Sequence, residues 1–192
     1  EGHCLDAKCT VSALLGITLE RLAAENPAAL DLLALSAFLA GGDVYLSLLR
    51  DGAAHLLPRL SKTMADETAA EAAVASLVDY GLASSTGESL MFHPLIQTIT
   101  REALNSEQQT AWAEAALRVV ASAFPVESHY DHVLPACSRL LGHVLAAARH
   151  AEDLAVAREE TGFLLNQQGL YLRGCREFKA ARDCYRRAVA LG

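Results

Sequence analysis

The sequence predicts a mainly α-helical protein, and three observations lead there. Apolar residues make up 52% of the chain and aromatics only 6%, with Ala and Leu supplying most of the apolar share. These two residues favour helices and let them pack closely, whereas a β-sandwich would call for more Val, Ile, Thr and aromatics. Apolar positions recur at three- and four-residue spacing, and cap and turn signals cut that pattern into helix-length pieces. One segment, Leu82 to Phe92, reads as β.

Residues 1–13 are expected to form a linker or disordered segment. Leu15, Leu19 and Leu22 fall at i, i+4 and i+7, giving one apolar face to a helix that ends near Asn26-Pro27. Pro27 suits the first turn of the next helix. There Leu30, Leu33, Ala34, Ala37 and Phe38 form one stripe, and Leu32, Leu35 and Leu39 cover the opposite side. Such a helix belongs at the centre of a core. Gly41-Gly42-Asp43 is expected to stop it.

A short helix is expected around Tyr45 to Leu49, then an irregular stretch through Pro58. Thr68-Ala69-Ala70-Glu71 matches a capping box, and Ala70, Ala73, Val74, Leu77 and Val78 mark the buried face of a helix that ends at Tyr80-Gly81. In Leu82 to Phe92, the cluster Ser84-Ser85-Thr86-Gly87-Glu88 reads as a turn between two short apolar runs. A helix starts at Pro94. Helices followed by a small hairpin against a helix make a winged-helix pattern.

From Asn105 onward the pattern is purely helical. Ser106-x-x-Gln109 reads as a second capping box. Trp112, Ala115, Ala116, Val119, Val120 and Ala123 form one stripe. Leu134, Cys137, Leu141, Val144, Leu145 and Ala148 form the next, and Leu154, Ala157, Thr161, Leu164 and Leu165 another. The expected organisation is therefore a linker over 1–13, a winged-helix-like domain over 14–104, and an antiparallel helical array over 105–192.

The array ends in a recognisable spacing. Leu165, Gly169 and Leu172 are followed, after Arg173-Gly174-Cys175-Arg176, by Phe178, Ala181, Tyr185 and Ala188. This resembles one tetratricopeptide repeat. Gly169 would let the second helix approach closely, Ala181 and Ala188 would serve as small contact points, and Phe178 and Tyr185 would fill the groove between the paired helices. One repeat cannot cover its own apolar face.

Charge and cysteine usage narrow the function classes. Sixteen Lys plus Arg face 23 Asp plus Glu, a net charge of -7, which disfavours non-specific binding to a phosphate backbone. Cys4, Cys9, Cys137, Cys175 and Cys184 form an odd, scattered set, as expected of reduced cytoplasmic thiols. No export signal or membrane-spanning run is evident. The chain opens on Glu1 rather than Met, which predicts a piece of a longer protein.

Taken in order, several phrases resemble the region that follows the nucleotide-binding domain in NB-ARC-type STAND ATPases with tetratricopeptide repeats. They are Leu19-Glu20-Arg21-Leu22 with Asn26-Pro27-Ala28-Ala29, Leu35-Ser36-Ala37-Phe38-Leu39-Ala40, Phe92-His93-Pro94-Leu95-Ile96-Gln97, Trp112-Ala113-Glu114, and Leu165-Asn166-Gln167-Gln168-Gly169. The resemblance runs from about Leu14 to the end. It implies a regulatory and protein-interaction segment of a signal-transduction ATPase. Its winged-helix part would pack over nucleotide held by an upstream module, and its repeats would sense a protein partner. Homo-oligomerisation would belong to the parent protein.

His93 matches the His of the family's Met-His-Asp motif, which contacts the ADP β-phosphate. Phe92 stands in place of the Met and Pro94 in place of the Asp, so no carboxylate follows the His. The plain alternative is a helix-capping or partly buried His. The chain has no G-x-x-x-x-G-K-[ST] phosphate loop, so it is expected to be non-catalytic and to hold no cofactor itself. ADP or ATP with Mg belongs to the missing upstream module.

Other candidates carry less chemistry. His3, Cys4 and Cys9 match no common zinc spacing. His129, Asp131 and His132 read as the approach to a helix. His143 and His150, seven apart, read as rim residues. Glu159-Glu160 reads as a solvated surface. Arg173, Arg176, Arg182, Arg186 and Arg187 make the C-terminal end locally basic, a feature that more often solvates a helix than binds a partner.

Two rival readings remain. One is a winged-helix transcription regulator with the Thr68–Tyr80 helix in the DNA major groove. That helix is poor in Lys and Arg and carries Glu71 and Asp79. The other is a stand-alone tetratricopeptide adaptor.

Overall fold

A computed structural model describes the backbone of residues 2–125 and 134–192, and the side chains of 14–125 and 135–192. The chain is mainly helical. Helix α1 (Gly2–Glu25) begins well before the expected start and takes in Gly2 to Ala13 of the segment expected as linker or disorder. Neither Gly nor Pro lies between Leu5 and Leu15 to interrupt it.

Helix α2 (Pro27–Ser36) is the centre of the core. Leu32, Leu33 and Leu35 are fully buried and Phe38, just past its end, nearly so. Asn26 organises its entry: Oδ1 accepts from the N–H of Ala29 at 3.1 Å, and Nδ2 donates to the Ala72 carbonyl and to Ser76 Oγ. One side chain thus caps α2 and ties it to helix α5 (Glu67–Asp79). On its far side, Asp31 accepts a two-pronged hydrogen bond from Arg59 at 2.5 and 2.6 Å.

Helix α2 stops at Ser36, earlier than the glycine pair predicted. Helix α6 (Pro94–Ala103) satisfies the carbonyls left open at that end. Gln97 Nε2 donates to the Ser36 and Leu39 oxygens, and Arg101, one turn on, donates to the Ala37 oxygen.

Helix α3 (Leu46–Asp51) and a 3-10 turn (Ala53–His55) lead to helix α4 (Pro58–Ala65), which starts where the expected irregular stretch ends. Pro58 at its first turn starts α4, and Leu60 and Met64 anchor it at i, i+4. Helix α5 is capped by Asp66, whose carboxylate accepts from the N–H of Ala69, two residues before the Thr68 box. The helix ends at Tyr80 and Gly81, the latter at φ +66°, a conformation that disfavours a Cβ.

The hairpin is present as β2 (Ser84–Ser85) and β3 (Ser89–Met91). A third strand, β1 (Val44–Tyr45), pairs antiparallel with β3, giving the order β1-β3-β2. Val44 faces Leu90 and Ser85 faces Leu90 from the other side. Ser84 and Ser85 are therefore strand, and the turn is shorter than the cluster suggested.

Helices α7 (Ser106–Ala123), α8 (Leu134–Asp153), α9 (Arg158–Gly174) and α10 (Phe178–Leu191) follow. The capping box of α7 uses Asn105 and Gln108, one residue earlier than Ser106 and Gln109. Helix α7 packs against α2 and α3 as well as α8 and α9. Trp112, Val119 and Val120 thus join one apolar core that runs from Leu15 to Cys184. Among the described residues no helix is long and apolar enough to cross a membrane.

Candidate functional site

His93 lies two residues after the end of β3 and is the N-cap of α6. Its Nδ1 accepts the N–H of Leu95 at 3.1 Å. That bond assigns the ring proton of the neutral imidazole to Nε2. The ring is exposed, and it borders a cavity of 270 Å³ walled by Leu14 and Thr18 of α1, Tyr80, Leu82, and Leu95 and Ile99 of α6. The sequence made the capping and phosphate roles alternatives. The geometry makes them compatible, because capping uses Nδ1 and leaves Nε2–H to donate outward.

The rest of the α6 N-terminus has little to offer an anion. Pro94 has no N–H, that of Leu95 is taken by His93 Nδ1, and those of Ile96 and Gln97 donate to the His93 carbonyl at 2.9 and 3.2 Å. A phosphate there would receive one hydrogen bond, from Nε2, together with the weak field of the helix end.

The terminal helix pair centres on Gly169. A Cβ on Gly169 would lie 2.5 Å from Cε1 of Tyr185, so the glycine lets the Tyr185 ring lie directly on the α9 backbone. Leu165, Leu172 and Ala181 are buried, while Ala188 is half-buried. Phe178 departs from expectation: it is 65% exposed and does not fill the groove. It is the first residue of α10, where the chain leaves the interhelical turn. Gln168, beside Gly169, is fully buried, and neither of its amide atoms has a hydrogen-bond partner among the described residues.

The two histidines expected at a rim lie in a seam. His143 is buried, and its Nε2 is 3.0 Å from the Asp43 carbonyl oxygen. His150 meets Phe38 edge-on, with ring centroids 5.4 Å apart. Arg139, one turn before His143, stacks its guanidinium 3.9 Å from the centre of the Tyr45 ring. One stripe of α8 therefore docks on β1, on the loop before it and on the end of α2. Burial lowers the pKa of His143. Burial, with Arg101 and Arg149 nearby, brings that of His150 down to about 4. Histidine within an otherwise apolar stripe was the available sequence signal, but the partners lie far away in the chain.

The C-terminal arginines do not form one free basic patch. Arg187 holds Glu152 through two nitrogens at 2.6 and 3.1 Å, and Arg182 and Arg186 both lie within 4 Å of Asp183. Arg173 and Arg176 are exposed. Glu159 and Glu160 are exposed as expected, with Glu160 3.7 Å from Arg118. The side chains of His3, Cys4 and Cys9, and residues His129, Asp131 and His132, lie outside the described residues. Among the described residues no cluster of three or more His, Cys, Asp or Glu is placed to hold a metal ion.

No family model, curated protein or solved structure matches this chain.

Proposed function

We propose that this chain is a non-catalytic regulatory and protein-interaction segment of a STAND signal-transduction ATPase, working in the cytoplasm. The first half packs over an upstream nucleotide-binding module, and the helical array leads into repeats that sense a protein partner. The observation that carries this reading is His93: an exposed ring two residues after a hairpin, with Nδ1 committed to the helix cap and Nε2–H directed away from it. ADP or ATP with Mg would be held mainly by the upstream module, since this site offers one donor. The Gly169–Tyr185 contact supports the repeat-like part of the proposal.

The test is the coding sequence upstream of Glu1. A phosphate-loop motif followed by an acidic Mg-binding strand is expected. A start codon immediately before Glu1, or an upstream region without that motif, would overturn the ATPase context. The DNA-binding alternative gains nothing from α5, whose exposed positions include Glu67, Glu71 and Asp79. Titration of duplex DNA at low salt discriminates: affinity tighter than micromolar with steep salt dependence would favour that rival.

A further inference from the structure

Helices α8, α9 and α10 together line a cavity of 310 Å³. Leu141 and Leu145 of α8, Leu172 of α9 and Cys184 of α10 give it apolar walls, and Gln168 of α9 lines it among them. Its two charged residues are already engaged. Arg187 holds Glu152 at 2.6 Å, and Asp183 has Arg182 and Arg186 at 3.8 and 3.9 Å. Gln168 is the exception. It is fully buried, and neither Oε1 nor Nε2 has a partner among the described residues.

A carboxamide without partners at that depth costs stability, and bulk water does not reach it to relieve the cost. Its place on the helix is also fixed. Gly169, the next residue, lies against the Tyr185 ring, which holds α9 close to α10 at this level. An uncommitted donor and an uncommitted acceptor are thus held beside an apolar cavity of small-molecule size.

We propose that this cavity binds a small, neutral, largely apolar molecule carrying a lactam or primary carboxamide, which pairs with the Gln168 amide through two hydrogen bonds. The choice of group follows from the amide itself. Nε2–H needs an acceptor and Oε1 needs a donor, side by side. A carboxylate supplies acceptors only and would set its charge against Oε1. An ammonium supplies donors only and would be set against Nε2–H. A lactam or primary carboxamide presents C=O beside N–H in one plane and satisfies both. The paired charges of Arg187 and Asp183 make no demand for an ionic group, and the leucine walls favour hydrocarbon for the rest of the ligand. Entry needs only side-chain movement: Leu145 is 42% exposed, and exposed side chains change rotamer within nanoseconds. The site requires neither a nucleotide nor the proposed upstream module.

The experiment is NMR titration of the intact, isotope-labelled chain with ε-caprolactam and, separately, with isovaleramide. The Gln168 side-chain amide signals, assigned by their loss in Gln168→Leu, are expected to shift with both probes and to saturate in the millimolar range, as suits ligands of so few atoms. N-methylcaprolactam has lost the N–H and leaves Oε1 unpaired, so it should bind about tenfold more weakly than caprolactam. Gln168→Leu replaces the unpaired amide with an apolar side chain and is expected to fold, but it should no longer distinguish the two lactams. Gln168 signals unmoved by both amides, as a resident water on the amide would leave them, would overturn the proposal. So would equal binding of the two lactams, or a preference between them that survives Gln168→Leu.

Discussion

His143 Nε2 donates to the Asp43 carbonyl across 3.0 Å, joining two residues 100 positions apart in the chain. An acceptor of that kind requires the proton on Nε2, which leaves Nδ1 as a buried acceptor with no partner among the described residues. Together with His150 on Phe38 and Arg139 on Tyr45, this bond makes α8 the helix that couples the C-terminal array to the β1 region and the end of α2.

The seam is expected to be acid-sensitive. Both histidines have lowered pKa values in the fold, His150 to about 4. Between pH 6.5 and 4 the unfolded chain binds the protons that the folded chain refuses, so stability falls as pH falls through that window. For His150 the loss should be about 1 kcal/mol by pH 5, allowing for the partial exposure of its ring. Urea midpoints at pH 7, 6 and 5 check this. In His150→Gln the slope should flatten, and an unchanged slope would refute the assignment.

Gly169→Ala should destabilise by about 1–3 kcal/mol, because the new methyl group meets the Tyr185 ring. In a Tyr185→Ala background the same substitution should instead stabilise by about 0.5–1 kcal/mol, the ordinary gain of Ala over Gly in a helix. The reversal of sign in a double-mutant cycle is the diagnostic.

Gln168→Leu should raise stability by about 1–2 kcal/mol, since it replaces a fully buried amide lacking partners with an apolar side chain of similar size. Chemical denaturation measures it. A loss of stability would mean that the amide has a partner.

Residues 105–192 expressed alone should be markedly less stable than the whole chain. Trp112, Val119 and His143 are buried in a core or seam shared with the first half. Circular dichroism melts of the two should differ clearly. Equal melting would instead favour the stand-alone adaptor.

Much of this architecture was legible in the sequence because the signals were local. The apolar spacing of Leu15, Leu19 and Leu22, the all-round apolar α2, the hairpin turn and the terminal helix pair all state their structure within a few residues. The misses have equally physical causes. Strand β1 has two residues and exists only through pairing with β3, forty-odd positions away, and α4 is short and polar on three sides. Asp66 and Asn105 outcompeted Thr68 and Ser106 as caps because adjacent polar residues offered equivalent oxygens, and only the backbone path selects one. His143 and His150 looked like rim residues because a seven-residue spacing describes one helix face without saying what covers it. His93 was found from its motif context, but the exhaustion of every other N–H at its helix end depends on Pro94 and on the first-turn hydrogen bonds.

The most direct test of the proposed function is ADP affinity in the protein that carries this segment with its upstream module, comparing the natural chain with His93→Ala and with His93→Asn. Asn retains the helix cap but is too short to replace the outward Nε2 donor. Loss of one hydrogen bond to a charged phosphate should weaken ADP binding by about tenfold in both variants. Unchanged affinity in both would contradict the nucleotide-contact role and leave His93 a helix cap alone.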